Sequence, residues 1–172
     1  LLRFYSHPEP TKAEIEELAA VFRDSKLDVG STLAHLFRSD AFRASARRSA
    51  LVKSPVEFAI GALRAVDHDG VPDFVTAAMG RMGQILFRPP SVKGWTRGAG
   101  WLSAAGIVER LTVAQKIAAA VPAQERDALA DSIVAIALQA PIPAPLAKAI
   151  AETKEPVPRI ALVLGGPEFQ LG

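Results

Sequence analysis

The chain has no cysteine, only 6% aromatic residues and almost no net charge. The first absence removes disulfides, thiolate metal sites and thiol nucleophiles together. With so few rings, Leu, Ile, Val and Ala must fill most of any core. No apolar run reaches the roughly 18 residues that a membrane span needs. Twenty Lys and Arg stand against eighteen Asp and Glu, a formal charge of +2. That balance demands neither a nucleic acid nor a membrane as partner.

What is present is length and helical pattern. The 172 residues, 49% apolar and 22% charged, suit one globular domain that buries roughly 70% of its unfolded surface. Leu1-Leu2-Arg3-Phe4-Tyr5 is neither a start methionine nor a signal peptide. It reads as the end of a helix that begins upstream. The expectation is a single helical domain over 1–172 that forms the C-terminal fragment of a longer protein.

Helix starts are well marked. Thr11-Lys12-Ala13-Glu14 fits a capping box, followed by Ile15, Leu18, Ala19 and Phe22 on one face. Asp28 is a good N-cap for a second helix burying Val29, Leu33, Leu36 and Phe37. Ser54-Pro55-Val56-Glu57 combines an N-cap Ser, Pro at the first helical position and the Glu of a capping box. Its inner stripe is Val56, Ala59, Ile60 and Leu63, and Asp67-His68-Asp69-Gly70 ends it. Pro72 opens a helix presenting Val75, Ala78, Met79, Met82 and Leu86, with Gly80 and Gly83 inside it and Arg88-Pro89-Pro90 as its stop. Ser103 caps a helix carrying Ile107, Val108, Leu111 and Ala118, stopped by Pro122. Leu129, Ile133, Ile136 and Ala140 mark another, broken by the Pro-rich stretch to Pro145. Leu146, Ala147 and Ile150 mark a shorter one. Ile160 to Leu164 reads as buried helix, because Pro158 suits a helix start and no partner strand is available. The fold expected is all-α, an irregular bundle of about seven helices with one long Pro/Gly/Trp loop.

One internal echo stands out. Leu36 to Phe42 and Val163 to Phe169 both read as a buried helix end, a short turn and a Phe folding back on the helix.

Four blocks carry a likeness to a known family. They are Leu36-Phe37-Arg38-Ser39-Asp40-Ala41-Phe42, then Lys53-Ser54-Pro55-Val56-Glu57-Phe58, then Met82 to Trp95 with its Gly-Gln, Pro-Pro and Gly-Trp pairs, then Pro167-Glu168-Phe169-Gln170. In these the chain resembles the C-terminal half of the bacterial family known as domain of unknown function 1800. The family pattern continues with a second Trp and an Asn-Thr pair. Here Trp101 is present, and Ser103-Ala104 stands in place of the pair. The family has no established activity, so the resemblance implies architecture more than function. It also implies an exported (periplasmic or secreted) bacterial protein with an N-terminal half absent here.

The loop from Arg88 to Trp101 holds the candidate binding residues Arg88, Lys93, Trp95, Arg97 and Trp101. Pro89-Pro90 fixes an extended lead-in and the glycines allow tight turns. Two indoles beside three cations suit a sugar ring, a peptide or a base. The alternative is that both indoles fold inward as core anchors, against Gly80 and Gly83. Gly98-Ala99-Gly100 lacks the preceding strand and the Lys-Ser/Thr of a phosphate loop. Asp67-His68-Asp69-Gly70 lacks the ligand spacing of an EF-hand. His7, His35 and His68 show no paired metal-ligand spacing, and no Gly-x-Ser-x-Gly elbow occurs. Glu109 and Arg110 read as a solvated helix face. The basic concentration Arg38, Arg43, Arg47, Arg48 and Lys53 reads as solvent-exposed, or paired with the missing half.

These readings assign no catalytic residue, no metal and no cofactor, and leave three functions open. The first is a structural or ligand- or partner-binding helical module of a larger exported bacterial protein. The second is the non-catalytic half of an enzyme whose active site lies in the missing N-terminal part. The third is carbohydrate binding through the Trp loop. The partners expected are that N-terminal half, another protein or a glycan, with no nucleic acid and no membrane span.

Overall fold

The first backbone N–H groups of an α-helix have no carbonyl partner inside it, so side chains that accept from them decide where helices begin. The computed structural model describes residues 1–7, 9–44, 51–138 and 142–172. Among these the fold is all-α: no strand forms, and the one β-type pairing is an isolated antiparallel bridge between Val52 and Leu171. The helices are α1 (Leu2–Tyr5), α2 (Lys12–Asp24), α3 (Val29–Arg38), α4 (Asp40–Arg43), α5 (Pro55–Ala65), α6 (Asp73–Arg81), α7 (Ala104–Ala120), α8 (Arg126–Ala137), α9 (Ala144–Glu152) and α10 (Pro156–Gly165). Short 3-10 turns lie at Gly98–Trp101, Ala123–Glu125 and Pro167–Gln170. The chain forms two compact units, Leu1–Leu51 with Gly172, and Val52–Leu171. Ala140, Arg47 and Arg48, named above, lie outside the described residues.

In the first unit, Thr11 and Glu14 form the expected capping box, with Glu14 N–H donating to Thr11 Oγ1 at 3.3 Å and Thr11 N–H to Glu14 Oε2 at 2.8 Å. Asp28 caps α3 by accepting from Ser31 N–H at 2.6 Å. The core is thin: Leu2, Leu18 and Leu36, with Leu33 and Phe42 against them. Edge-on ring contacts run from Phe4 to Tyr5, Phe37 and Phe42, with centroids 4.7, 5.4 and 5.1 Å apart. Ile15, Val29 and Phe37, expected inside, are exposed. So small a core covers only the middle of each apolar stripe. Ile15 and Val29 instead line an open apolar groove of about 480 Å³ with Leu1, Pro10, Leu18 and Phe22.

The second unit packs around α10, whose Ile160, Val163 and Leu164 are wholly buried, so the run from Ile160 to Leu164 is the buried helix expected. α7 and α8 cover α10, and α5 and α6 lie on α7. The α10–α7 approach is close: a Cβ on Gly165 would sit 2.9 Å from Leu111 Cδ2. α7 buries a face that shares only Ala118 with the stripe expected. Gly106, Arg110, Val113, Ala114, Ile117 and Ala118 are buried, while Ile107, Val108 and Leu111 are exposed. The small Ala114, its Cβ 3.8 Å from where a Cβ on Gly165 would sit, lets α10 come near, and that outweighs the larger apolar area of the other stripe. On α8, Ile133 is buried but Ile136 is exposed.

α6 is shorter than its pattern predicts. It ends at Arg81, not at the prolines, because Gly83 takes φ +94 directly after the Met82 cap. Leu86, expected inside, is therefore in the loop and exposed. The internal echo holds for the helix break and differs at the ring. Ser39 (φ −67, ψ 147) and Gly166 (φ −64, ψ 153) each break a helix in extended geometry and start a short turn, but Phe42 meets Phe37 of the preceding helix whereas Phe169 packs on Phe58 of α5.

α5 has the best-satisfied start in the unit. Ser54 and Glu57 form a capping box (Ser54 N–H to Glu57 Oε2, 2.7 Å; Glu57 N–H to Ser54 Oγ, 3.3 Å), and Val56 N–H donates to Gln84 Oε1 at 3.0 Å. Ser54→Ala removes the side-chain acceptor at this helix start and is expected to lower stability by about 1 kcal/mol. Urea unfolding followed by circular dichroism checks this, and an unchanged midpoint would contradict it.

Candidate functional site: a buried arginine and a displayed loop

Arg110 lies on the inner face of α7 and is 1% exposed. The sequence reading placed it with Glu109 on a solvated face, and the structure corrects that for Arg110. Its guanidinium donates from Nη1 to Gln170 Oε1 at 2.8 Å and from Nη2 to the Lys53 carbonyl at 2.7 Å, with Cζ 5.0 Å from the Phe58 ring centroid. Its Nε is buried with no hydrogen-bond partner. Burial pushes the Arg110 guanidinium below the ordinary arginine range, and the Glu57 carboxylate opposes that shift. An arginine so placed still keeps its proton.

Lys53, read from sequence as part of an exposed basic run, is only partly exposed. Its ammonium donates to the Phe169 carbonyl at 2.8 Å and lies 4.0 Å from the Phe169 ring centroid. Burial lowers the Lys53 pKa, Glu57 raises it and Arg110 lowers it further. Glu109 takes a different partner, accepting from Arg81 Nη2 at 2.6 Å, and that hydrogen bond holds its carboxyl below the usual glutamate range.

The loop that follows α6 divides into held and displayed parts. Trp101 is 6% exposed, and a Cβ on Gly83 would lie 3.9 Å from its Cζ3, so this indole holds the loop against the end of α6. Trp95 is half-buried, and its indole N–H is enclosed without a hydrogen-bond partner. Arg88, Lys93 and Arg97 are exposed. Arg88 and Lys93 make no ion pair among the described residues. Ser103, where the family pattern has a polar pair, caps α7 by accepting from Gly106 N–H at 3.0 Å. Asn and Thr perform the same service at helix starts.

The sequence reading missed the most exposed residues. Phe87 is 93% exposed and Val92 fully so, with Ile85 and Leu86 exposed beside them. Phe87 sits in a tight turn closed by Arg88 N–H donating to the Ile85 carbonyl at 3.1 Å, and adopts φ +62. That third turn position normally takes Gly or Asn, and a left-handed bulky residue costs roughly 1–2 kcal/mol. The usable signal was Leu86-Phe87 directly before Arg88-Pro89-Pro90, where no helix can continue.

Blocks 53–58, 82–95 and 167–170 thus meet at one place, the start of α5 and the Arg110 fork. A family model described as a protein of unknown function (DUF1800) matches residues 1–171. The chain belongs to the DUF1800 family. No curated protein and no solved structure matches it. In this DUF1800 chain, no group of three or more His, Cys, Asp or Glu residues able to hold a metal ion occurs among the described residues. His35 instead pairs with Glu17 at 2.9 Å, and His7 lies 3.5 Å from Glu14. No helix among them is long and apolar enough to cross a membrane.

Arg110→Ala removes two hydrogen bonds and most of a buried side chain, and is expected to cost about 3 kcal/mol. Arg110→Lys lacks the planar fork and should lose less. Urea unfolding of both variants checks the order. Equal stability of Arg110→Ala and the parent chain would contradict the assignment.

Proposed function

We propose that this chain is a partner-binding helical module of a larger, exported bacterial protein, and that its contact surface is the loop Gly83–Leu102. The observation that supports this most directly is Phe87. A phenylalanine almost wholly in solvent, on a left-handed backbone where glycine is usual, does nothing for the fold that carries it. Strain of this kind is held in place by surrounding structure and clusters where proteins make contacts. Here the holding groups are Trp101 against Gly83 on one side and Pro89-Pro90 on the other.

The charge pattern agrees. From Phe74 to Val108 the chain has no Asp or Glu, while Arg81, Arg88, Lys93 and Arg97 are present. Arg81 is engaged by Glu109, while Arg88 and Lys93 on the loop make no ion pair among the described residues. Arg88, Lys93 and Arg97 act in this reading as contact residues, Trp95 as a half-exposed flank and Trp101 as the anchor. Sugar stacking on paired indoles has less support, because Trp101 offers no open face.

If the loop is displayed and not structural, Phe87→Ser with Val92→Ser should leave unfolding stability within about 0.5 kcal/mol of the parent, or slightly above it. A loss of several kcal/mol in thermal unfolding would show that these side chains hold the fold and would overturn the reading.

A further inference from the structure

The display of this loop narrows what it meets. Its apolar side chains protrude singly: Phe87 and Val92 stand almost wholly clear of the protein, with Ile85 and Leu86 half-exposed at the base of the turn. A stable protein interface needs on the order of 1,000 Å² with a packed apolar centre, and single protruding side chains need a partner with a matching pocket for each. A lipid surface needs no such match, because the acyl boundary yields to whatever enters it. Arg88 follows Phe87 directly and Lys93 follows Val92 directly, so each protruding apolar group has a cation beside it. Neither cation is paired among the described residues. The absence of any carboxylate from Phe74 to Val108 leaves this stretch with nothing that an anionic surface would repel.

We propose, resting on the displayed-loop reading above, that the turn Ile85–Lys93 docks on the surface of a bilayer containing anionic lipid. Phe87 and Val92 enter the boundary between headgroups and acyl chains, and Arg88 and Lys93 stay at headgroup level against lipid phosphates. The contact is peripheral. Two inserted side chains and two cations give reversible binding, because lasting attachment takes stronger or additional anchors. Pro89-Pro90 fixes two φ angles and stiffens the segment between the two insertion points, so little order is lost on docking.

The test is sedimentation of the 172-residue protein with vesicles of phosphatidylcholine alone and of phosphatidylcholine with about one third phosphatidylglycerol. Binding to the anionic vesicles is expected to be about tenfold or more tighter than to the neutral ones. It should weaken as salt is raised, since the contact is partly electrostatic. Arg88→Glu with Lys93→Glu should reduce it to the neutral-vesicle level. Phe87→Ser with Val92→Ser should weaken it about tenfold. Unchanged circular dichroism in both variants establishes that the fold is intact. A parent chain left in the supernatant with both vesicle types overturns the bilayer proposal. So does binding that neither variant alters. If the Ser double variant keeps full stability while the parent ignores lipid, the loop is still displayed and its partner is a protein. If that variant unfolds, the display reading itself fails.

Discussion

The Val52–Leu171 unit depends on burying a guanidinium without leaving its main donors empty. Taking an arginine out of water is costly unless planar donors meet fixed acceptors. Here the acceptors come from distant parts of the chain: the Lys53 carbonyl just before α5 and the Gln170 side chain after α10. Neither is placed by its own helix. Lys53 N–H bonds the Gln170 carbonyl at 2.8 Å, and Gln170 Nε2 returns to the carbonyls of Leu164 and Gly166 at 3.3 Å. The fork therefore ties the start of α5, the middle of α7 and the end of α10 into one polar knot, with Phe58 and Phe169 as its apolar lid.

This knot gives a physical reason for sequence blocks that otherwise look unrelated. Ser54 and Glu57 close the capping box of α5, and Gln84 reaches the Val56 N–H of the same helix. The Glu57 carboxylate also raises the pKa of both Lys53 and Arg110, against the effect of burial. The Gly-Gln of one block, the Ser-Pro-Val-Glu of another and the Phe-Gln of the last serve one junction. The loop beyond Gln84 inherits its position from that junction: one end leaves from the cap of α5, and the other is fixed where Trp101 meets Gly83 and Ser103 starts α7.

Much of this architecture is legible in sequence where the cause is local. Thr11, Asp28, Ser54 and Ser103 mark real helix starts, because an N-cap and its partner lie within a few residues of each other. Pattern alone misleads where two faces compete. α7 carries the plausible stripe Ile107, Val108 and Leu111, yet leaves these side chains exposed and buries Val113, Ala114, Ile117 and Ala118, with Ala114 facing Gly165 of α10. Arg110 on the buried face looks like a solvated charge until residues more than fifty positions away supply its acceptors. In the loop, the two indoles are visible from residue type alone, while the exposure of Phe87 depends on a backbone angle that no composition reveals.

The central claim is that Arg110 and Gln170 act as one unit, so their contributions must be coupled. A double-mutant cycle with Arg110→Met, Gln170→Leu and the combined variant measures this directly by urea unfolding. The account requires a coupling free energy of about 1 kcal/mol or more, because removing either partner leaves a part-buried polar atom of the other without its bond. Losses that add to within about 0.3 kcal/mol would mean that the two side chains are neighbours without interaction, and the knot would not be what holds the unit together.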